Sequence, residues 1–153
     1  MTRDLVVDAS VSAFLVLTDE RSELSERILD HVLTGNLRVA VPELWHYEML
    51  NVLRTAVARE RISEQEAWKA LERVSSMPVE SVPAESQGLP AILACALRHG
   101  LSVYDATYVE LARSRGIDLV SGDQHLLSLR GEFPWIWSAE QFCASELGDR
   151  AEP

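Results

Sequence analysis

The chain has 153 residues, 47% hydrophobic and 25% charged, which fits one globular domain with a sizeable core and argues against extensive disorder. Its 24 acidic residues outnumber 14 Lys and Arg, giving a formal net charge of −10 that excludes a general nucleic-acid coat and requires any phosphate contact to be local. No apolar run approaches the roughly 20 residues that span a bilayer, and MTRDLVVDAS carries no signal-peptide pattern, so a cytoplasmic protein is expected.

Leu5-Val6-Val7 is a short apolar run ending at Asp8, and the apolar stretch over residues 12–17 continues as a helix. The order is strand, acid, helix, with Asp8 or Ser10 able to cap. Residues 22–33 read as a second helix, with Leu24, Ile28, Leu29, Val32 and Leu33 on one stripe and Gly35 near its stop. Val39-Ala40-Val41 is the second strand. Pro42 opens a long helix to about Arg61, whose core stripe is Trp45, Met49, Val52, Leu53 and Ala56. Glu48 projects at the border of that stripe and has no basic residue at i±3 or i±4 to pair with.

Ser63 and Glu66 have capping-box spacing and open the next helix, expected to pack on the long one as a hairpin with Trp45 and Trp68 between them. Val79–Val82 is the third strand, residues 83–90 a polar connector and residues 91–98 an apolar helix that includes Cys95. Cys95 and Cys143 make no CxxC, so neither zinc nor a redox pair is indicated. Ser102 precedes Asp105 by the capping-box interval, Val103, Ala106, Val109 and Ala112 recur at helical spacing, and Gly116 supplies the stop. Residues 117–120 read as a fourth strand, and Ser121-Gly122-Asp123 turns the chain into another helical start. Residues 133–137 form a final edge strand, where Pro134 removes a ladder donor, and Ser138 caps a last helix.

Strands alternating with helices predict an α/β fold: a three-layer α/β/α sandwich around a mainly parallel sheet of about five strands. One domain is expected over residues 1–146, with a frayed tail over 147–153. In such a sheet ligands bind beyond the carboxyl ends of the strands, which is where Asp8 and Asp123 fall, with Asp105 at a helix entrance and Glu48 on a flanking helix. Asp105 or Asp123 taken alone is better explained as a cap, and a cap is a good explanation of Asp8 too. Four acids gathered in one pocket, however, repel one another unless cations balance them, and Mg²⁺ or Mn²⁺ are the hard ions that choose carboxylate oxygen.

VVDAS at Asp8, WHYEMLNVL around Glu48, LSVYDATYVELA around Asp105 and LVSGDQHLL around Asp123, in that order, resemble the PIN-domain ribonucleases and most of all the VapC toxins of toxin–antitoxin pairs. The resemblance runs from Asp4 to about Phe142. It implies a metal-dependent RNA endonuclease that cuts structured RNA, transfer or ribosomal, and so arrests translation. By the same likeness Asp8, Glu48, Asp105 and Asp123 are the catalytic, metal-binding acids, Ser10, Asn51 and Ser121 are supporting polar residues, and Mg²⁺ or Mn²⁺ is the cofactor. The likeness further implies a homodimer and a VapB-like antitoxin lying in an apolar groove that Phe14, Trp45 and Leu50 are expected to line. Arg54, Arg59, Arg61, Lys69 and Arg73 concentrate in one portion of the chain and are the candidate RNA contacts. Gly122 departs from the family, which commonly has Ala there, and is expected to loosen the turn without disturbing the carboxylate.

Two rivals compete with this reading. A phosphate-ester hydrolase or receiver-type domain also gathers acids at strand ends, but Asp8 starts no Asp-x-Asp motif and Lys69 is the chain's single lysine. A PIN-like RNA- or partner-binding protein without nuclease activity has no need to keep four mutually repelling carboxylates.

Overall fold

The computed structural model describes residues 2–20 and 22–147. Five strands, β1 (Arg3–Val7), β2 (Leu37–Pro42), β3 (Val79–Val82), β4 (Asp118–Val120) and β5 (Ile136–Trp137), form one sheet in the order β3-β2-β1-β4-β5. Every pairing is parallel: Leu5 lies opposite both Val39 and Asp118, and Val6 opposite Ala40 and Leu119. A sheet open to water on one face would alternate buried and exposed residues. Here Leu5, Val6, Val7, Val39, Ala40, Val41, Leu119 and Val120 are all buried, as expected when helices cover both faces.

The helices are α1 (Ala9–Val16), α2 (Glu23–Leu33), α3 (Leu44–Ala58), α4 (Glu64–Ser76), α5 (Leu89–His99), α6 (Val103–Arg115), α7 (Gln124–Ser128) and α8 (Ala139–Glu146). The chain starts in the middle of the sheet, steps one way to β2 and β3, then returns past β1 to β4 and β5. Right-handed crossovers in opposite directions put their helices on opposite faces. Thus α6 lies across β1, β2 and β4 with α5 packed outside it, while α2 packs on β2 and against α8. The direction of travel reverses between β1 and β4, and the crevice beyond their carboxyl ends is the favoured place for a ligand.

Helix α6 is buried without a break from Ala106 to Ala112, so it shows no single apolar stripe. Its buried Glu110 is satisfied by Arg113, whose Nε and Nη2 both donate to the carboxylate. Ser22, Ser63 and Ser138 each close a reciprocal capping box.

Several local expectations change. Helix α3 stops at Ala58 rather than near Arg61, because Glu60 takes the left-handed conformation at φ 55° and turns the chain out. Trp68 is 62% exposed and lies outside the hairpin packing, which Ala70 and Val74 supply; Trp45 is 0% exposed and its Nε1 donates to Ser12 Oγ at 2.8 Å. The final strand shrinks to Ile136–Trp137, since residues 133–135 make a turn closed by Ile136 N donating to Phe133 O. Leu147 is tied down by Arg27 Nη2, which donates to its carbonyl at 2.6 Å, and the rest of the expected tail, 148–153, lies outside the described residues. Among the described residues no helix is long and apolar enough to cross a membrane.

Candidate active site

Asp8 is the first residue beyond β1, and its backbone N–H donates to Val120 O, which ties it to the end of β4. It is also the N-cap of α1, accepting Val11 N–H at Oδ1. Two serines complete its surroundings. Ser10 Oγ donates to Oδ1 at 2.5 Å, and the fully buried Ser121 donates a short bond to Oδ2. Ser121 Oγ in turn accepts Asp123 N–H, and Ser10 Oγ accepts Gly122 N–H at 2.8 Å. The turn after β4 is thereby pinned to the turn after β1. Gly122 is tightly held rather than loose: a Cβ added there would stand 3.0 Å from Ser10 Oγ.

Asp8 is only 6% exposed, and burial pushes its carboxyl above the ordinary range. The hydrogen bonds from Ser10, Ser121 and Val11 oppose that shift, and the charge of Asp123 adds to it. Asp123 caps α7 through Oδ1, which accepts His125 and Leu126 N–H. Glu48, half-buried on α3, accepts a short hydrogen bond from the Tyr108 hydroxyl at Oε2. Its carboxyl is also raised, by burial first, against the Tyr108 bond and with the charges of Asp8 and Asp105. Asp105 sits in the first turn of α6, its N–H donating to Ser102 Oγ and its Oδ2 accepting from the same hydroxyl.

The four acids therefore share one electrostatic neighbourhood. Asp8 feels Asp123, Glu48 feels Asp8 and Asp105, and the buried Tyr108 phenol is pushed up by burial and by Glu48, Asp8 and Asp105 together. Ser10 and Ser121 converge on Asp8. Asn51 is exposed and makes no hydrogen bond to any of the four acids among the described residues; it lines the cavity that Glu48 borders.

Sequence reasoning missed Tyr108, although its spacing of three from Asp105 places the two on neighbouring positions of one helix. The candidate RNA contacts divide. Arg54, Arg59 and Lys69 are exposed, Arg61 pairs with Asp19 at 2.8 Å, and Arg73 donates from Nε and Nη2 to the Val16 carbonyl at the end of α1.

Among the described residues no three His, Cys, Asp or Glu side chains form a ready ligand cluster. The donor chemistry nonetheless fits a hydrated hard cation, which typically takes one or two carboxylates and keeps several waters. Glu48 Oε1, Asp105 Oδ1 and Asp123 Oδ2 accept no hydrogen bond among the described residues, and added positive charge would relieve the repulsion that helps raise Asp8 and Glu48.

A family model described as the PIN domain matches residues 5–132. The chain belongs to the PIN-domain family. Similar curated proteins include Ribonuclease VapC3 of Pyrobaculum aerophilum, 36% identical over 123 residues that make up 80% of this chain and 91% of that protein. Ribonuclease VapC1 of Mycobacterium tuberculosis is 32% identical over 65% of this chain and 76% of its own length. These likenesses place the chain in the VapC group of PIN domains. The crystal structure of PAE2754 from Pyrobaculum aerophilum superposes with a TM-score of 0.70 at 25% identity, covering 97% of this chain and all of that one. A toxin–antitoxin complex from Klebsiella pneumoniae shares the fold at a TM-score of 0.57 and 12% identity, over 88% of this chain and 97% of that one.

Proposed function

We propose that this PIN domain is a VapC-type ribonuclease, the toxin of a toxin–antitoxin pair, and that it cleaves structured transfer or ribosomal RNA with Mg²⁺ or Mn²⁺. The observation that carries the reading is the position of Asp8. It is a buried carboxylate at the β1/β4 reversal, held by two serines from two different turns, raised in part by the charge of Asp123 and itself helping to raise Glu48. A cap alone needs neither the burial nor the neighbours.

In this reading Asp8, Glu48, Asp105 and Asp123 hold the metal. When bound, such a cation activates water and offsets charge on the phosphate and the leaving oxygen. Ser10 and Ser121 fix the Asp8 carboxylate, and Tyr108 fixes that of Glu48, so neither must be ordered when RNA arrives. Arg54, Arg59 and Lys69 are the cations best free to meet phosphate, with Arg61 available only by leaving Asp19.

Protein partners complete the proposal. An antitoxin segment covering the acids is assigned to the surface near Phe14 and Leu50, both exposed; Trp45, fully buried, is not part of it. A homodimer is supported by Leu89, Leu93 and Leu97, which leave one exposed apolar row on α5. A cytoplasmic location accords with an RNA substrate.

The test is incubation of the purified protein with mixed transfer and ribosomal RNA and Mg²⁺ or Mn²⁺, with EDTA and Asp8→Asn as controls. Discrete metal-dependent fragments that vanish in the variant are expected. Intact RNA in the presence of folded, metal-binding, antitoxin-free protein would return the chain to the non-cleaving alternative.

A further inference from the structure

Two tyrosines stand in solvent beside the acids, and neither supports an acid of the site. Tyr47 is 75% exposed and Tyr104 65%, and neither hydroxyl is hydrogen-bonded among the described residues. Tyr47 immediately precedes Glu48 and Tyr104 immediately precedes Asp105. Successive helical residues point about 100° apart, so each ring lies beside a carboxylate rather than over it. Both rings face one cavity of about 640 Å³ between α1, α3 and the start of α6, together with Ser10, Glu48 and Asn51.

That cavity opens directly from the acid site. Glu48 is one of its walls, and Ser10, another, donates to Asp8. A group placed there while a phosphodiester meets the acids must be the nucleoside next to that phosphate. A nucleobase is uncharged, so the carboxylates do not repel it as they would an unbalanced phosphate. It also has two π-faces to offer tyrosine and hydrogen-bonding edges to offer an amide. Phenol rings are effective stacking surfaces for any base.

We infer that Tyr47 and Tyr104 form a stacking clamp for one unpaired RNA base flanking the scissile phosphate, with the Asn51 amide reading its edge. The inference rests on the nuclease reading and adds a substrate requirement to it. A base inside a duplex is already stacked and cannot enter, so the preferred target is a single-stranded loop or end. The clamp also gives Asn51 a role that its lack of contact with the acids leaves open.

The test uses the whole protein and a fluorescein-labelled 12-nucleotide single-stranded RNA of mixed sequence. Binding is read by anisotropy in EDTA, and cleavage KM with Mn²⁺. Tyr47→Ala and Tyr104→Ala are each expected to weaken binding by about five- to a hundredfold, the affinity equivalent of one lost stacking contact. The Phe variants should stay within about threefold of the parent protein, since the ring is kept. The slope of log affinity against log salt should not change in any of them, because stacking releases no counterions. The same RNA annealed to its complement should bind more weakly.

Ala variants that melt like the parent and bind RNA equally well would overturn the clamp. So would a loss of salt slope, or Ala variants that change only the sedimenting mass, which would assign the rings to a protein interface. If the parent cleaves no RNA yet binds with this tyrosine dependence, the nuclease reading fails and takes the scissile-phosphate assignment with it, while the stacking of an unpaired base on the tyrosines is upheld. If it cleaves and the tyrosines are indifferent, the clamp alone fails.

Discussion

Tyr108→Phe isolates one hydrogen bond. Tyr108 is 2% exposed and its hydroxyl donates to Glu48, so the change keeps the ring and its packing while leaving Glu48 Oε2 without a donor among the described residues. A hydrogen bond to a charged group contributes about 1.5–3 kcal/mol. Glu48 is half-buried and water can replace part of the loss, which sets the cost near the lower bound, about 1.5 kcal/mol. For a chain of this size that corresponds to a Tm lower by about 3–6 °C. The pH dependence carries a definite sign. The Tyr108 bond opposes the upward shift of the Glu48 carboxyl, so its loss raises that carboxyl further. A carboxyl raised in the folded state favours folding below its unfolded pKa, and that advantage is lost as pH rises through the folded value. The variant's deficit should therefore be small near pH 3 and largest at neutral pH. Calorimetric melts in EDTA at both pH values measure it, and Mn²⁺ titration should show affinity reduced by about tenfold or more. Equal Tm values for the two proteins at neutral pH, or a deficit independent of pH, would show that the Tyr108 bond does not stabilise the Glu48 carboxylate.

Asp8→Asn keeps an N-cap and removes a carboxyl raised chiefly by burial. By the same sign the parent's stability relative to the variant should fall as pH rises from about 3 to neutral without divalent cations; thermal melts across that range check it. Gly122→Ala should cost about 1 kcal/mol, since its Cβ meets Ser10 Oγ at 3.0 Å, and Ser10→Ala in the same chain should recover much of it, giving a coupling in urea melts that independent sites would lack. Replacing Arg54 and Arg59 together with Ala should reduce the salt slope of RNA binding by about 1.4, at about 0.7 per phosphate on a single strand. Arg73→Ala should leave that slope alone and lower stability by about 1–2 kcal/mol, because its guanidinium serves the Val16 carbonyl.

The three layers and the parallel sheet of five strands were readable because β-branched runs and helical stripes alternate along the chain. Val79–Val82 is recovered with the same bounds. Exceptions arose where one residue's backbone or one side chain's environment decides the outcome. Nothing in Arg59-Glu60-Arg61 announces a left-handed Glu60, because a glycine normally supplies that conformation. Trp45 and Trp68 look alike in the sequence, and their opposite burial depends on how α3 meets α1, a contact between residues 33 positions apart. At the site, Asp8 and Asp123 were legible from their places beyond strands. The bond from Ser121 to Asp8 spans 113 residues and that from Tyr108 to Glu48 spans 60, and separations of that kind leave no local pattern. Gly122 was misread as a loosening of the turn because its tightness comes from Ser10, contributed by the first helix.

Acids from four parts of the chain are proposed to converge on one divalent-cation site at the β1/β4 reversal. A crystal structure in saturating Mn²⁺, with anomalous scattering to locate the metal, tests it most directly. A peak in contact with Asp8 and at least one of Glu48, Asp105 and Asp123 is expected. A peak elsewhere, or none at those carboxylates while Mn²⁺ still supports RNA cleavage, would contradict it.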